Sequence, residues 1–568
     1  MIGDSLSPAG ATDLNRGVME ATAGGGLVLG GLSGNPLTLI CALDSGDPAP
    51  GIFEAVGAGS YVSLENVILV GGKLATSGGG LIETEGTDVS LGGYDTGIGM
   101  IGVNNTGFVL VNDGTTVSVA ATLNNTGTIS VASTGGSTEI RLETEADFNP
   151  GFKDTSGTRY IYLAGDGAIT LSDNANNLIA ATRTTDILDN EGNTISGAGA
   201  IGGGSAMGLM NDGTIDATGT NALVVNLATG KITNQIHGTM EATGAGGLSL
   251  SGGTFTNTGT FAALDGSSAT IGPGVTLTND SGGTLTGGTW EATDGGHGAT
   301  LTIAAGPAVA TDAATVILSG ANSLFDTDGM ALEQSLATIA AKGKLELLAG
   351  RSWSGALGLT DDGLLQLGGG SLAPASLTVP SGGTVEGFGT IAAALTNNGL
   401  VEASGGTLTL SGALSGTGTI EIAANGSTAE IGGATPSTQT VLFGKPIHET
   451  LKLDDPSGFA GTISHWGLAD TIDLAKTDAV SATITGDTLA IGLSGGGTLD
   501  YKLANPPTGM RIVLSSDNAG GTDLTLARQK AALLGEAVAA WAPAGGTGPV
   551  VPGGLTADAA PLLAGSHR

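Results

Sequence analysis

The sequence predicts an all-β fold, a parallel β-helix or β-solenoid with about 20 to about 23 residues in each coil. Two observations carry that prediction. A turn-opening Asn recurs at near-constant spacing, and the residues between turns alternate apolar with polar. The first appears in DNEGNTISGAG (Asn190), MNDGTIDATG (Asn211), TNQIHGTMEATG (Asn234), TNTGTFAALDG (Asn257) and TNDSGGTLTGGTWEAT (Asn279), where the position advances by 21, 23, 23 and 22. NNTG at 104–107 returns at 124–127, and LTNNGLVEASGGTLTL sets Asn398 in the same context. The second appears in GGTLTLSG (405–412) and GTGTIEIAANG (416–426), where a period of two sends alternate side chains to opposite faces of a strand.

One such short strand cannot bury its own face. Two or three per coil, stacked at the inter-strand spacing of about 4.8 Å, can. Inward Val, Leu and Ile then form columns, Thr forms outward rows, and Asn repeated at one turn position hydrogen-bonds to the Asn above and below. Phe255 and Phe261 are expected to face inward on successive strands. A β-sandwich lacks Asn-x-Gly phrases at fixed spacing, and propeller blades need about twice this period.

Composition agrees. Gly supplies 103 of 568 residues but Pro only 18, which excludes collagen. With 40% hydrophobic and 12% charged residues the chain is not of disordered type, and 3% aromatics implies a narrow aliphatic core. The net charge of −34 makes nucleic acid and anionic membranes poor partners and suits a soluble extended surface, with cation binding as the sharper reading. The one cysteine, Cys41, in LTLICAL, is expected to be packed rather than reactive.

In order along the chain, residues 1–16 form an N-terminal segment or cap, 17–436 the β-helix repeats, and 437–527 a β-rich module that continues or caps the solenoid. Residues 528–568 form a helical segment (528–542, with Leu533, Leu534, Val538 and Trp541 on one face) and a disordered Pro/Gly/Ala tail. No stretch is apolar for long enough to span a bilayer, and no basic n-region with an apolar h-region opens the chain, so no export signal is visible.

The phrases LTNNGLVEASGGTLTLSGALSGTGTIEI and FTNTGTF…VTLTNDSGGTLTGGTWEAT resemble the repeats of Gly-rich surface adhesins of Gram-negative bacteria, such as autotransporter passengers and filamentous-haemagglutinin-like proteins. GIFEAVGAGSYVSLENVILVGG (51–72) is similar to a coil of the pectin-lyase-like type. Phe459, Gly461 and Ile463, with Asp470, Ile472, Asp473 and Leu474, resemble a module common near the ends of such adhesins. The resemblance implies a right-handed β-helix, secreted or displayed at the cell surface, without a catalytic residue. Against the family's pattern, neither an N-terminal signal nor a C-terminal barrel-forming run of strands is seen.

Three readings of function follow. The first is a non-enzymatic structural or adhesive rod whose partners are a host or abiotic surface, a glycan, or further copies of itself. The second is a carbohydrate-active lyase or hydrolase, which would need acidic and basic residues converging on one face. The third is a surface-layer or fibre subunit stacking end to end. No cofactor is expected. His237, His297, His448, His465 and His567 lack metal-ligand spacing, and Glu241 and Glu291 repeat as an outward acidic row. Asp454, Asp455, Asp470 and Asp473 lie close enough in sequence to be calcium candidates, with turn formation as the plainer role.

Overall fold

The computed structural model describes residues 12–41, 50–86, 88–95, 99–144, 159–444 and 448–529. Residues 1–11 and 530–568 lie outside it, and so do the expected helix beyond Gln529 and His567. Among the described residues, one four-residue helix, Leu332–Ser335, and one 3-10 turn, Pro456–Gly458, interrupt an otherwise β architecture.

Most coils contribute three short strands, and most strands pair in parallel with their equivalents in the coils before and after. Asn190, Asn211, Asn234 and Asn257 are consecutive partners in one such sheet. In another, eighteen successive pairings run from Leu27 to Ile463. At about 4.8 Å per step the stack is roughly 90 Å long. The chain is a parallel β-helix.

Alternation decides which residues fill it. In Thr239–Ala242 the pattern is half-buried, buried, half-buried, buried, so Met240 and Ala242 point in while Thr239 and Glu241 point out. The inward column Ile195, Ile215, Met240, Phe261, Trp290, Val316 is continuous and almost free of water contact. Its largest members, Phe261 and Trp290, form one aromatic cluster with Phe255 of another sheet: the Phe255–Phe261, Phe255–Trp290 and Phe261–Trp290 ring centroids lie 5.6, 6.4 and 6.0 Å apart. The neighbouring inward column holds Ala217, Ala242, Ala263 and Ala292 at the same coils, and these small residues make room for the rings. Cys41 is fully buried, and burial pushes its thiol up to about 12.

Coil length is less regular than the Asn spacing led one to expect. The step is 16 from Val385 to Val401 and 40 from Ile129 to Ile169. Strand register must be kept from coil to coil, whereas the number of residues joining one paired strand to the next is free to vary.

Parallel stacking persists through Leu474, which lies beside Leu453, and one strand further on, Thr498–Leu503, still pairs in parallel with Thr462–Ser464, placing Leu503 beside Ile463. The chain then changes mode. Ala479–Thr485, Thr488–Leu493 and Thr498–Leu503 form an antiparallel meander, and Met510–Ser516 with Thr522–Arg528 form an antiparallel hairpin. Thr522–Arg528 runs antiparallel along Thr471–Leu474, so the last coil's edge is covered rather than open. Arg528, expected to begin a helix, ends this strand. Phe459 and Tyr501 pack edge-on at 5.1 Å, and the Tyr501 hydroxyl donates to the Pro456 carbonyl at 2.8 Å, fastening the meander to the stack.

Candidate functional site: the inner amide spine and the outer rows

Two Asn-x-Gly corners, at Asn105 and Asn397, share one local bond. The Asn side-chain oxygen accepts the backbone N–H two residues on, as in Gly107 N–H to Asn105 Oδ1 (3.1 Å) and Gly399 N–H to Asn397 Oδ1 (3.1 Å). The side-chain NH2 then reaches to the next coil. Asn190 Nδ2 donates to Asn211 Oδ1 at 2.8 Å, Asn211 to Asn234 at 2.9 Å, and Asn234 to Asn257 at 2.9 Å. Asn279 Oδ1 accepts the Asn257 N–H at 2.7 Å, and its Nδ2 donates to the Asn257 carbonyl at 2.8 Å. Gly follows because the corner below is in the way: a methyl at Gly259 would collide with the carbonyl oxygens of Gly238 and Gln235.

The spine extends beyond the expected residues. Asn105 Nδ2 donates to Asn125 Oδ1, and Asn125 Nδ2 to Asn193 Oδ1, both at 2.7 Å. The Asn193 N–H donates to Asn190 Oδ1 at 3.0 Å, so the chain of amides is unbroken from Asn105 to Asn279. Every amide in it is buried.

Asn398, expected in this ladder, is not part of it. The buried member is Asn397, whose Nδ2 donates to the Thr419 carbonyl and to Gln439 Oε1, each at 3.1 Å. Asn398 points outward, where its Oδ1 accepts from Thr417 N and Oγ1. In adjacent asparagines only one can face in, and a one-residue slip exchanges the faces.

Two carboxyls occupy the same inward corner position. Asp312, Ile339, Asp361, Val379 and Asn397 align in consecutive coils. Asp312 Oδ1 accepts from Ala314 N at 2.9 Å and Asp361 Oδ1 from Gly363 N at 3.1 Å, as an Asn would. Each Oδ2, standing where an Asn carries NH2, is buried without a partner. Burial pushes both carboxyls up to about 7. The sequence carried a signal for Asp361: LTDDG at 359–363 matches LTNNG at 395–399 position by position.

The four calcium candidates do not converge. Asp455 caps the 3-10 turn by accepting from Gly458 N. Asp470 is buried and holds the N–H groups of Gly467 and Glu449. Asp473 and Asp454 lie beside the ammonium of Lys452, which is 3.8 Å from Asp454 Oδ1 and in register with Asp473. Among the described residues, no group of three or more His, Cys, Asp or Glu is placed to hold a metal. His237 and His297 pair with Asp212 and Asp265 on the surface, while His448 and His465 take positive φ at turns.

Outside, the rows are equally regular. Thr194, Thr214, Thr239, Thr260, Thr289 and Thr315 stand in one line. Beside it runs Asp216, Glu241, Ala262 and Glu291, so the two expected glutamates share a row with one alanine between. Further along, Glu386, Glu402 and Glu421 are consecutive. Burial, then the charges of Glu386 and Glu421, raise the Glu402 carboxyl above the usual range. No family model matches the chain, and no curated protein matches it.

Proposed function

We propose that this chain is a non-enzymatic, secreted or surface-displayed rod of the bacterial adhesin type, which holds an attachment surface at a distance set by coil number. The observation that carries this reading is the uninterrupted register from Leu27 to Ile463, locked inside by the amide spine from Asn105 to Asn279. A stack in which each coil contacts only its neighbours gains length without gaining width, which is what a spacer requires. Long regular rows of Thr and acidic residues favour contact spread over a face rather than one catalytic cleft. The antiparallel cover on the last coil speaks against end-to-end stacking of subunits.

The test uses the purified full chain on beads. Retention on abiotic or host-cell surfaces above that of bare beads is expected, with no release of reducing ends from polysaccharides. Absence of retention would remove the adhesive reading.

One observation favours a carbohydrate-active enzyme as the second reading: Glu402 is a carboxyl raised by burial and flanked at one coil's spacing by two others. Pairs of carboxyls about 5 Å apart serve retaining glycosidases. Hydrolysis by the native chain that disappears in Glu402→Gln would establish it.

A further inference from the structure

We propose that Tyr61, Leu81 and Phe108 form a docking stripe for a basic amphipathic helix of a partner polypeptide. Tyr61 lies beside Leu81, and the pairing of Val109 with Ile82 sets Phe108 next to Leu81, so the three share one outward row on consecutive coils. Tyr61 and Phe108 are 37% and 40% exposed, and Leu81 is half-buried between them. Val28 and Leu110 widen the stripe from the two ends of the adjacent outward row. The exposed pair Tyr160 and Tyr162 stacks ring on ring with centroids 5.7 Å apart, whereas Leu81 holds Tyr61 and Phe108 two coils apart. The Tyr61 ring covers Gly26, where a methyl would strike its Cζ and Cε1 atoms.

Coil stacking does not ask for this row. Beyond Phe108 the same position holds Thr128, Ala168 and Thr194, and the strands pair there equally well. Large apolar side chains set outside on consecutive coils mark a contact surface. Carboxylates stand beside them: Glu83 in the next outward row, and Glu65 with Glu85 in the row beyond. Glu65 accepts from Ser63 Oγ at 3.3 Å and Glu85 from Asn112 Nδ2 at 2.9 Å, neutral donors that leave the charge in place. The strands that build this face, Gly26–Gly30, Tyr61–Glu65, Leu81–Glu85 and Phe108–Val111, contain no Lys or Arg.

Spacing and charge select the partner. Coils repeat at about 4.8 Å, and one turn of an α-helix advances about 5.4 Å. A helix laid along the rod therefore brings its apolar residues at i, i+4 and i+7 over Tyr61, Leu81 and Phe108 in turn. Basic residues on the flank of that helix then face Glu83, Glu65 and Glu85, so apolar and charged contacts are satisfied together. A second copy of this chain would set carboxylates against carboxylates, and nucleic acid is repelled by the same groups.

This inference names a partner class for the attachment role above and rests on it. The test titrates the full chain with a Leu/Lys amphipathic helical peptide of about 15 residues and with its Leu/Gln and Leu/Glu counterparts. The Lys peptide is expected to bind best and the Glu peptide worst, and Lys-peptide binding to weaken as salt rises. Tyr61→Ser/Phe108→Ser leaves the net charge of −34 untouched, so diffuse attraction of a basic peptide survives it. That variant should still weaken Lys-peptide binding at least about tenfold, with an unchanged β circular-dichroism spectrum. Glu83→Gln/Glu85→Gln should narrow the gap between the Lys and Gln peptides while Gln-peptide binding is kept, an effect that misfolding would not give. Undiminished binding in the Ser pair overturns the proposal, as does equal binding of the Lys and Gln peptides or failure of the wild type to bind any. Self-association or neutral-oligosaccharide binding that the Ser pair loses assigns the stripe to a second copy or to a saccharide, and overturns it too. Failure to bind peptide while bead retention persists removes this stripe and leaves the rod reading standing; loss of retention by the wild type removes both.

Discussion

Asp361 and Asn397 occupy the same inward corner two coils apart, and only Asn397 has a partner for each of its two terminal side-chain atoms. Replacing NH2 by an oxygen removes a donor at a place that water does not reach. Protonation puts one back. Asp312 stands in the same condition, one corner beyond Ile339. Both carboxyls have folded-state values raised to about 7 against 3.8. The raised value means that the native state binds the proton more tightly than the unfolded state. Stability from these groups is therefore full below about pH 4 and is lost as pH rises towards about 7. Asp312→Asn/Asp361→Asn should raise the unfolding free energy from urea titration at pH 8 by about 1–3 kcal/mol per site, and change it little at pH 4. Equal effects at both pH values would contradict the assignment.

Asn234 both accepts from Asn211 and donates to Asn257 and to the Thr260 carbonyl. Asn234→Ala strands one buried group on either side and should cost about 2–4 kcal/mol. Asn398→Ala, one face removed from the spine, should fall within about 0.5 kcal/mol of the parent. Denaturant titration of the two variants side by side gives the contrast, and an equal loss for both would refute it.

Trp290 is fully buried against Phe255 and Phe261, and its Nε1 donates to the Gly287 carbonyl at 2.9 Å. Trp290→Ala should destabilise by about 3–5 kcal/mol, because neighbouring coils cannot close inward without breaking their own register. Trp290→Phe should lose much less. Thermal melts followed by circular dichroism measure both.

Cys41 is sealed in the first coils with its thiol raised to about 12 by burial. A thiol-reactive maleimide at pH 7.5 should leave the folded chain unlabelled and label it once in denaturant. Rapid labelling of the folded chain would show that these coils open readily.

Much of this architecture is legible in the sequence, for a physical reason. Parallel in-register stacking forces each coil to repeat the chemistry of the coil beneath it, so Asn190, Asn211, Asn234, Asn257 and Asn279 announce one another by spacing. Phe255 and Phe261, expected inside, are both fully buried. Other features were harder to read. Asn397 and Asn398 are identical in composition, and facing is decided by strand phase alone. Asp361 reads as an ordinary turn aspartate until LTDDG is set against LTNNG. The short step from Val385 to Val401 and the long one from Ile129 to Ile169 follow no fixed spacing, because only the paired strands are held in register. The stacked Tyr160 and Tyr162 gave no periodic signal, since they occur on one coil only.

The covered end of the rod has a kinetic meaning. Its meander and its hairpin join strands that are close neighbours in sequence, such as Ala479–Thr485 with Thr488–Leu493, whereas each parallel pairing must first close a loop of a whole coil. Local closure is faster and costs less entropy. The antiparallel end can therefore organise first and present Thr522–Arg528 as a template edge for Thr471–Leu474, after which each new coil finds a finished surface to settle on. Growth of the rod would then be directional, running from Thr471–Leu474 back towards Leu27.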